Sequence, residues 1–256
     1  MKIPKIINII SEQIAYEEPL KFCSQFADEM YTSLLIGKGD SGIGKLAVIG
    51  RNPHTIFSFE NNRWQTTDEK GIVESDLGFW VTFNQIWANC RFADFPFPAR
   101  FCGLLGYLSY EGLHQIEKIE KKTINNYQIP VLTAVLFNQY YVFDLSKKKQ
   151  WSINVKYNYK SSFDGQINLP VSTGFSVKNL EPECSAEEYC RKIEKIQEYI
   201  REGDVYEVNL TQQIKGDFFG NSFALFKKLF QKNTAPFSAY LNFETLKIIS
   251  NSPELF

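Results

Sequence analysis

Residues 129–157 read IPVLTAVLFNQYYVFDLSKKKQWSINVKY. Val131 to Asp144 is dense in β-branched and aromatic residues, and Trp151 to Tyr157 repeats that character, so two strands are predicted. Lys147, Lys148 and Lys149 fall between them, where a solvated turn holds charge at little cost, and this reading is preferred to a binding patch. The apolar run that begins at Ile129 is broken by Asn138 and Gln139, which argues against a membrane span.

Upstream, Thr55 to Phe59 and Phe101 to Tyr107 read as further strands. Ser33 to Ile36 and Leu46 to Ile49 flank a glycine-rich turn through Gly42 and Gly44, a hairpin pattern. Gly39 to Lys45 nearly spells a phosphate-binding loop. Leu46 follows it where a hydroxyl is needed, and the next residues suit a strand, so no helix N-terminus faces a phosphate and the hairpin turn is preferred. Residues 18–31 carry Pro19 in a first turn, then Leu20, Cys23, Ala27 and Met30 at helical spacing, which predicts a short amphipathic helix.

Downstream, the chain turns polar and irregular from Asn158 to about Glu183, a boundary or long connection. Ser185 then stands three residues before Glu188, and Tyr189, Ile193, Ile196 and Ile200 follow at helical spacing until Gly203, so a capped helix is predicted. Beyond it Tyr206, Val208, Leu210 and Ile214 alternate with Glu207, Asn209, Thr211 and Gln213, the period of a strand with one wet face. Ser222 to Lys232 reads as a helix presenting Phe223, Phe226 and Phe230. Phe237 to Phe243 and Leu246 to Ser250 then read as a hairpin that delivers Glu254 after Pro253. The sequence stops in strand-like residues with no polar tail, and an interrupted fold is expected.

The composition, 44% hydrophobic with 22 Phe and 13 Tyr, supports a sizeable core. Twenty-eight basic and 29 acidic side chains give a formal charge of −1, so no cationic field recruits nucleic acid. The N-terminus MKIPKIINII lacks a signal-peptide cleavage pattern, and a cytoplasmic location without membrane association is expected. Cys23, Cys90, Cys102, Cys184 and Cys190 are odd in number, irregularly spaced and joined by only two histidines, which points to free, mostly buried thiols and no metal site.

With these residues in place, GDVYEVNLTQQ at 203–213, APFSAYL at 235–241 and NSPELF at 251–256 resemble the chorismate-utilising enzymes. FCGLLGYLSYE at 101–111 resembles that family's Gly-Tyr-x-x-Tyr segment, and 129–144 its following strand pair. The resemblance spans nearly the whole chain, with four motifs in the family's order. The short N-terminus, the GYLSYE wording and Pro236 to Ala239 are more similar to the aminodeoxychorismate synthase component I branch than to anthranilate synthase. The resemblance implies an α+β fold of antiparallel sheets with flanking helices, truncated at its C-terminus. It also implies an N-terminal region at 1–170 and the start of a chorismate-binding region at 171–256.

The chemistry implied is loss of a ring hydroxyl from chorismate as a nucleophile enters. Hydroxide leaves poorly without a proton, so a carboxylic acid kept neutral in a dry pocket is needed. The resemblance places that acid on Glu254, which on its own residue pattern is an exposed loop carboxylate. A covalently attacking lysine and the glutamates that hold Mg2+ are implied beyond Phe256, and ammonia is implied to come from a glutamine amidotransferase subunit. The 256-residue chain alone is therefore expected to be inactive. Leu34, Leu35, Ile36 and Gly37 stand where relatives often carry Leu-Leu-Glu-Ser against a bound amino acid, so polar contacts are lost there. Asn233, Pro236, Phe237 and Ser238 still match the far wall of that candidate amino-acid pocket. Glu207 replaces a common Gln. Two rivals remain: anthranilate synthase component I, told apart by the amine product, and a non-catalytic amidotransferase-binding module, told apart by the absence of turnover.

Overall fold

The computed structural model describes residues 2–38, 42–68, 71–120, 127, 129–160, 174–233, 235–243 and 245–254. In chain order its elements are β1 (Ile6–Ile14), α1 (Pro19–Cys23), β2 (Ser33–Ile36), β3 (Leu46–Glu60), β4 (Arg63–Asp68), β5 (Gly71–Ser75), α2 (Phe79–Asn89), β6 (Leu105–Leu108), β7 (Leu132–Asp144) and β8 (Lys149–Tyr157). They continue as β9 (Phe175–Pro182), α3 (Ala186–Glu202), β10 (Ile214–Gly220), α4 (Ser222–Lys232), β11 (Phe237–Asn242) and β12 (Lys247–Ser252). The chain divides into two compact units, one of residues 1–170 with 226–256 and one of residues 171–225. Packing thus places 226–256 with the first unit, which cuts the chain differently from the 1–170 and 171–256 regions implied by resemblance.

The first unit is a ten-stranded sheet running β1-β8-β7-β3-β2-β11-β12, with β4 and β6 attached to β3 and β7 and β5 attached to β4; every pairing is antiparallel. The fold is α+β, antiparallel sheets with helices. The strand pair read from 129–157 is β7 and β8, in register from Gln139 opposite Asn154 to Asp144 opposite Lys149. Lys147 and Lys148 make its turn, Lys148 with a φ of 49°.

β3 is the spine: it pairs along one edge with β7 and along the other first with β2 and then with β4. Pro53 has no N–H to donate, and the β3–β7 register slips there, between Pro53 and Thr55. The Asn138 amide reaches across the slip to the carbonyls of Asn52 and Pro53, at 3.3 and 3.4 Å. The polar break that disfavours a membrane span is therefore a bridge over a bulge. Asn61 and Asn62, at φ 50° and 60°, turn β3 into β4, a two-residue turn whose left-handed backbone Asn tolerates.

Phe57, Trp64, Leu136, Phe137, Tyr140 and Ile153 are fully buried in the core. Trp64 stacks on Phe79 of α2 at 5.3 Å, so this helix covers the β3–β4 region. The Tyr140 hydroxyl donates to the Gly103 carbonyl at 2.7 Å, and the Tyr157 hydroxyl to that of Phe137 at 2.9 Å, so both buried phenols are satisfied. No helix among the described residues is long and apolar enough to cross a membrane.

Two predicted elements differ. The helix read over 18–31 is only Pro19–Cys23, after which tight turns carry Gln25, Phe26 and Glu29 N–H groups to carbonyls three residues back. These turns lay Phe22 and Phe26 against Tyr141, at 4.7 and 6.0 Å between rings. In the glycine-rich segment, residues 39–41 of the near phosphate-binding loop lie outside the described residues. Gly42–Lys45 is a single tight turn that runs straight into β3, a hairpin as read.

The second unit holds β9 paired antiparallel with β10, and α3. Ser185 caps α3 by accepting the Glu188 N–H at 3.2 Å, and Gly203 ends it at a φ of 84°, as the sequence predicts. The strand expected from Tyr206 forms only from Ile214, where β9 supplies a partner. Alternation creates no strand without a ladder to join, and residues 206–213 are irregular.

Candidate functional site

The residues singled out by sequence collect around the β2–β11–β12 ribbon. In register, Ser238 of β11 stands between Ile36 of β2 and Asn251 of β12, and Tyr240 stands between Leu34 and Ile249. Directly opposed residues of an antiparallel pair share a face, so Leu34 and Ser238 lie on one face and Leu35 and Phe237 on the other. Leu34 is completely buried, whereas Leu35 is 39% exposed. The structure brings these candidates together along one ribbon but divides them between its two sides.

Two of them meet through Asn251. The Ser238 hydroxyl donates to the Asn251 side-chain oxygen at 2.5 Å, and the Asn251 amide donates to the Asn233 carbonyl just past α4. Asn233 itself is exposed, and Pro236 is half-buried. The ribbon's buried face is more polar than the alternation suggests, because Ser238, Tyr240 and Asn242 point inward. Tyr240 packs on Phe226 of α4 at 5.8 Å, and the Asn242 amide donates to the carbonyls of Ala27 and Glu29 at 2.9 and 3.0 Å. Each buried polar group thus has a partner.

Glu254 follows β12 and is exposed. Its N–H donates to the Ser252 hydroxyl at 3.2 Å, and that hydroxyl lies 3.1 Å from the Glu254 carbonyl, so a tight Ser-Pro-Glu turn fixes its backbone. The dry surroundings that a neutral acid needs are not built around it by the described residues.

At the other end of the hairpin a cavity of about 660 Å3 opens beside the β11–β12 turn. Tyr31, Tyr107, Phe243 and Leu246 supply its apolar wall and Ser58 and Thr133 its hydroxyls. Tyr107 and Tyr31 meet the Phe243 ring edge-on at 5.5 and 6.2 Å. The Tyr107 hydroxyl donates to the Pro130 carbonyl at 3.1 Å, and burial raises its pKa above the usual phenol value. No carboxylate or imidazole lines this space among the described residues, and its aromatic and aliphatic wall suits an aromatic ring. Of the Gly-Tyr-x-x-Tyr segment, Tyr107 reaches the cavity, Tyr110 is 85% exposed, and Gly106 sits so close to β7 that a Cβ would lie 2.0 Å from the Thr133 carbonyl oxygen. The β12 strand, about 20 Å long at its rise per residue, separates this cavity from Glu254.

Among the described residues no group of three or more His, Cys, Asp or Glu side chains is placed to hold a metal ion. All five thiols are free, and four are buried; Cys190, on α3, is exposed. Burial pushes the Cys90 thiol up to about 12 and raises Cys23 and Cys102 as well, so none of the three is a nucleophile near neutrality. Sequence reading passed over Arg51 and Glu29, which clamp the loop after α1 to β3. They are 22 positions apart with nothing local to join them, and only tertiary register shows the pair.

The chorismate binding enzyme family matches residues 40–256. Aminodeoxychorismate synthase component 1 of Bacillus subtilis (strain 168) is 25% identical over 238 residues, covering 83% of this chain and 48% of the relative. The protein of that name from Escherichia coli (strain K12) is 27% identical, covering 91% and 50%. Anthranilate synthase component 1 of Acetivibrio thermocellus is 24% identical, covering 99% and 56%. The chain therefore spans about half the length of the curated relatives it matches. Among solved structures, anthranilate synthase component I from Streptococcus pneumoniae TIGR4 superposes with a TM-score of 0.63 at 20% identity, over 84% of this chain and 52% of that one, a likeness of fold.

Proposed function

The chain belongs to the chorismate binding enzyme family, and from that premise we propose that it is the N-terminal part of an aminodeoxychorismate synthase component I. The proposed reaction converts chorismate and ammonia into 4-amino-4-deoxychorismate for folate synthesis, in the cytoplasm, with ammonia from a glutamine amidotransferase subunit. The observation that carries the reading is the family match over 40–256, which includes the Asn-Ser-Pro-Glu turn at the end of β12. Relatives bearing the component 1 name support a partner subunit.

In this reading Glu254 is the general acid that protonates the departing ring hydroxyl. The Ser252 turn holds its backbone, and a neutral acid at this position needs water excluded from around it. Bound Mg2+ would neutralise the substrate carboxylate; no group of three or more acidic, imidazole or thiol side chains among the described residues is placed to hold it. The 256-residue chain alone is proposed to be inactive.

The anthranilate reading is kept as the second, because the Acetivibrio thermocellus relative matches at nearly the same identity as the aminodeoxychorismate synthases. The deciding experiment supplies chorismate, Mg2+ and ammonium salt to the whole gene product and identifies the amine. A para-linked product supports the proposal, an ortho-linked one the second reading. No amine at all would leave a non-catalytic amidotransferase-binding module.

A further inference from the structure

The cavity beside the β11–β12 turn, of about 660 Å3, is lined neither by Glu254 nor by any residue of the candidate amino-acid pocket. Strand register builds its floor. Tyr107 of β6 stands opposite Thr133 of β7, and Thr133 stands opposite Ser58 of β3. Ile56, two positions before Ser58, stands opposite Thr67 of β4. Opposed residues and residues two apart share a face, so four neighbouring strands each turn one hydroxyl to the same side of the sheet, and all four line the cavity. The row from β6 to β3 covers two strand spacings, about 10 Å, which is room for a single ring and its substituents. One end of it is already oriented: the Thr133 hydroxyl lies 3.4 Å from that of Tyr107, which donates to the Pro130 carbonyl at 3.1 Å.

The wall is aromatic and fixed by backbone contacts. The Phe243 N–H donates to the Leu246 carbonyl at 2.9 Å, closing the β11–β12 turn with both residues on the cavity. Tyr31 has a φ of 64°, a left-handed backbone that bulky residues rarely adopt. Its N–H donates to the Asn242 carbonyl at 2.6 Å and the Asn242 N–H to the Thr32 carbonyl at 3.0 Å, so the end of β11 holds this strained turn and sets the Tyr31 ring against Phe243. Backbone held in a sparse region by its surroundings is a recurrent mark of ligand clamps. A wall fixed in advance also lowers the ordering cost of binding.

No Asp, Glu, Lys, Arg or His lines the cavity among the described residues. An ion entering it would give up water without gaining a partner of opposite charge, which disfavours a carboxylate such as the one the proposed substrate carries.

We propose that this cavity binds a neutral aromatic small molecule with a hydrogen-bonding substituent, its ring against Tyr31, Tyr107 and Phe243 and its substituent on the hydroxyl row. Edge-on and offset contacts with the three rings select a π-system, and hydroxyls that both donate and accept take a carbonyl, amide or hydroxyl substituent. The volume lies within the usual range for small-ligand sites.

Ligand-observed NMR titration of the chain with benzamide tests the proposal, with benzoate and cyclohexanecarboxamide as parallel arms. Saturable one-to-one binding of benzamide is expected, about ten-fold or more tighter than benzoate and about five-fold tighter than the saturated amide. Ser58→Ala and Thr67→Val, which each remove one hydroxyl at little change in shape, are expected to weaken it about three-fold. Ser58→Trp, which fills the floor, is expected to abolish it. Circular dichroism and melting of each variant separate lost binding from lost fold. Absence of saturable benzamide binding overturns the proposal, as does unchanged affinity in both hydroxyl variants or in a folded Ser58→Trp. Equal binding of benzoate overturns the neutral assignment, and equal binding of the saturated amide overturns the aromatic one.

Discussion

Arg51 and Glu29 meet side-on, the guanidinium Nε and Nη2 each 2.6 Å from a separate carboxylate oxygen. The guanidinium also lies over the Phe26 ring, 4.8 Å from its centroid. Both side chains are largely shielded, so the pair is more than a surface contact, and its planar fork is specific to arginine. Glu29→Ala is expected to lower unfolding stability by about 2–3 kcal/mol, because it strands a shielded cation. Arg51→Lys keeps the charge and loses the fork, at about 1–2 kcal/mol. Urea unfolding of the three proteins orders them; equal midpoints would show that the contact contributes nothing.

Asn242 holds the same loop from the other side, through the Ala27 and Glu29 carbonyls. Asn242→Leu fills similar space but removes one of the two donors at each carbonyl, the Tyr240 hydroxyl at 3.5 Å from the Ala27 oxygen and the Thr32 N–H at 3.2 Å from that of Glu29 remaining, at an expected cost of about 1–2 kcal/mol. Asn242→Asp is expected to be worse near neutrality, since a carboxylate cannot donate. Thermal melts at pH 7 check the order.

Gly106→Ala is expected to be the most damaging single-methyl change in the first unit. The added carbon would lie 2.0 Å from a backbone oxygen of β7, and no side-chain rotation relieves that. A loss of about 3 kcal/mol or more is expected, read as poor soluble yield or a lowered melting midpoint.

Glu254→Gln separates fold from chemistry. The side chain is exposed, so the stability of the chain is expected to change by less than about 0.5 kcal/mol. If Glu254 is the general acid proposed above, the same change in the whole gene product is expected to lower turnover about 100-fold or more, since an amide is far too weak an acid to give up that proton. An unchanged rate would remove Glu254 from the mechanism.

Asp144 gives a pH signature. Burial raises its pKa, but the Ser146 hydroxyl, the Lys147 N–H and the Lys147 charge outweigh it, and the net direction is downward. A carboxylate whose pKa is lower in the folded state contributes stability above its unfolded value, near 4, and loses it as pH falls through the folded value. Asp144→Ala is expected to cost about 1 kcal/mol at pH 7 and progressively less below pH 4. A pH-independent difference would assign the effect to packing.

Local chemistry was readable where a few neighbouring residues decide the outcome. Ser185, Glu188 and Gly203 set both ends of α3, and the lysines after Asp144 mark a turn by their charge. Partnership between distant segments was not. Residues 206–213 alternate like a strand but have no ladder, and Ser238, Tyr240 and Asn242 alternate with apolar residues yet turn inward because Asn251, α4 and the loop after α1 supply their partners. The site showed the same limit. Pattern located Ser238 and Glu254 in sequence, but register alone reveals that Leu34 and Leu35 face opposite ways and that Tyr31, Tyr107 and Phe243 share a cavity.

The pairing of β1 with β8 sets Ile6 opposite Tyr157, so the strand at one edge of the sheet pairs with residues about 150 positions further along the chain. During synthesis, at about 5–20 residues per second, the first strand waits on the order of ten seconds for its mate to leave the ribosome. Through that interval Ile7 and Ile10, which remain 54% and 61% exposed even after folding, are available to any passing chaperone or nascent neighbour. A slower ribosome lengthens that interval, and the soluble yield is expected to fall with it.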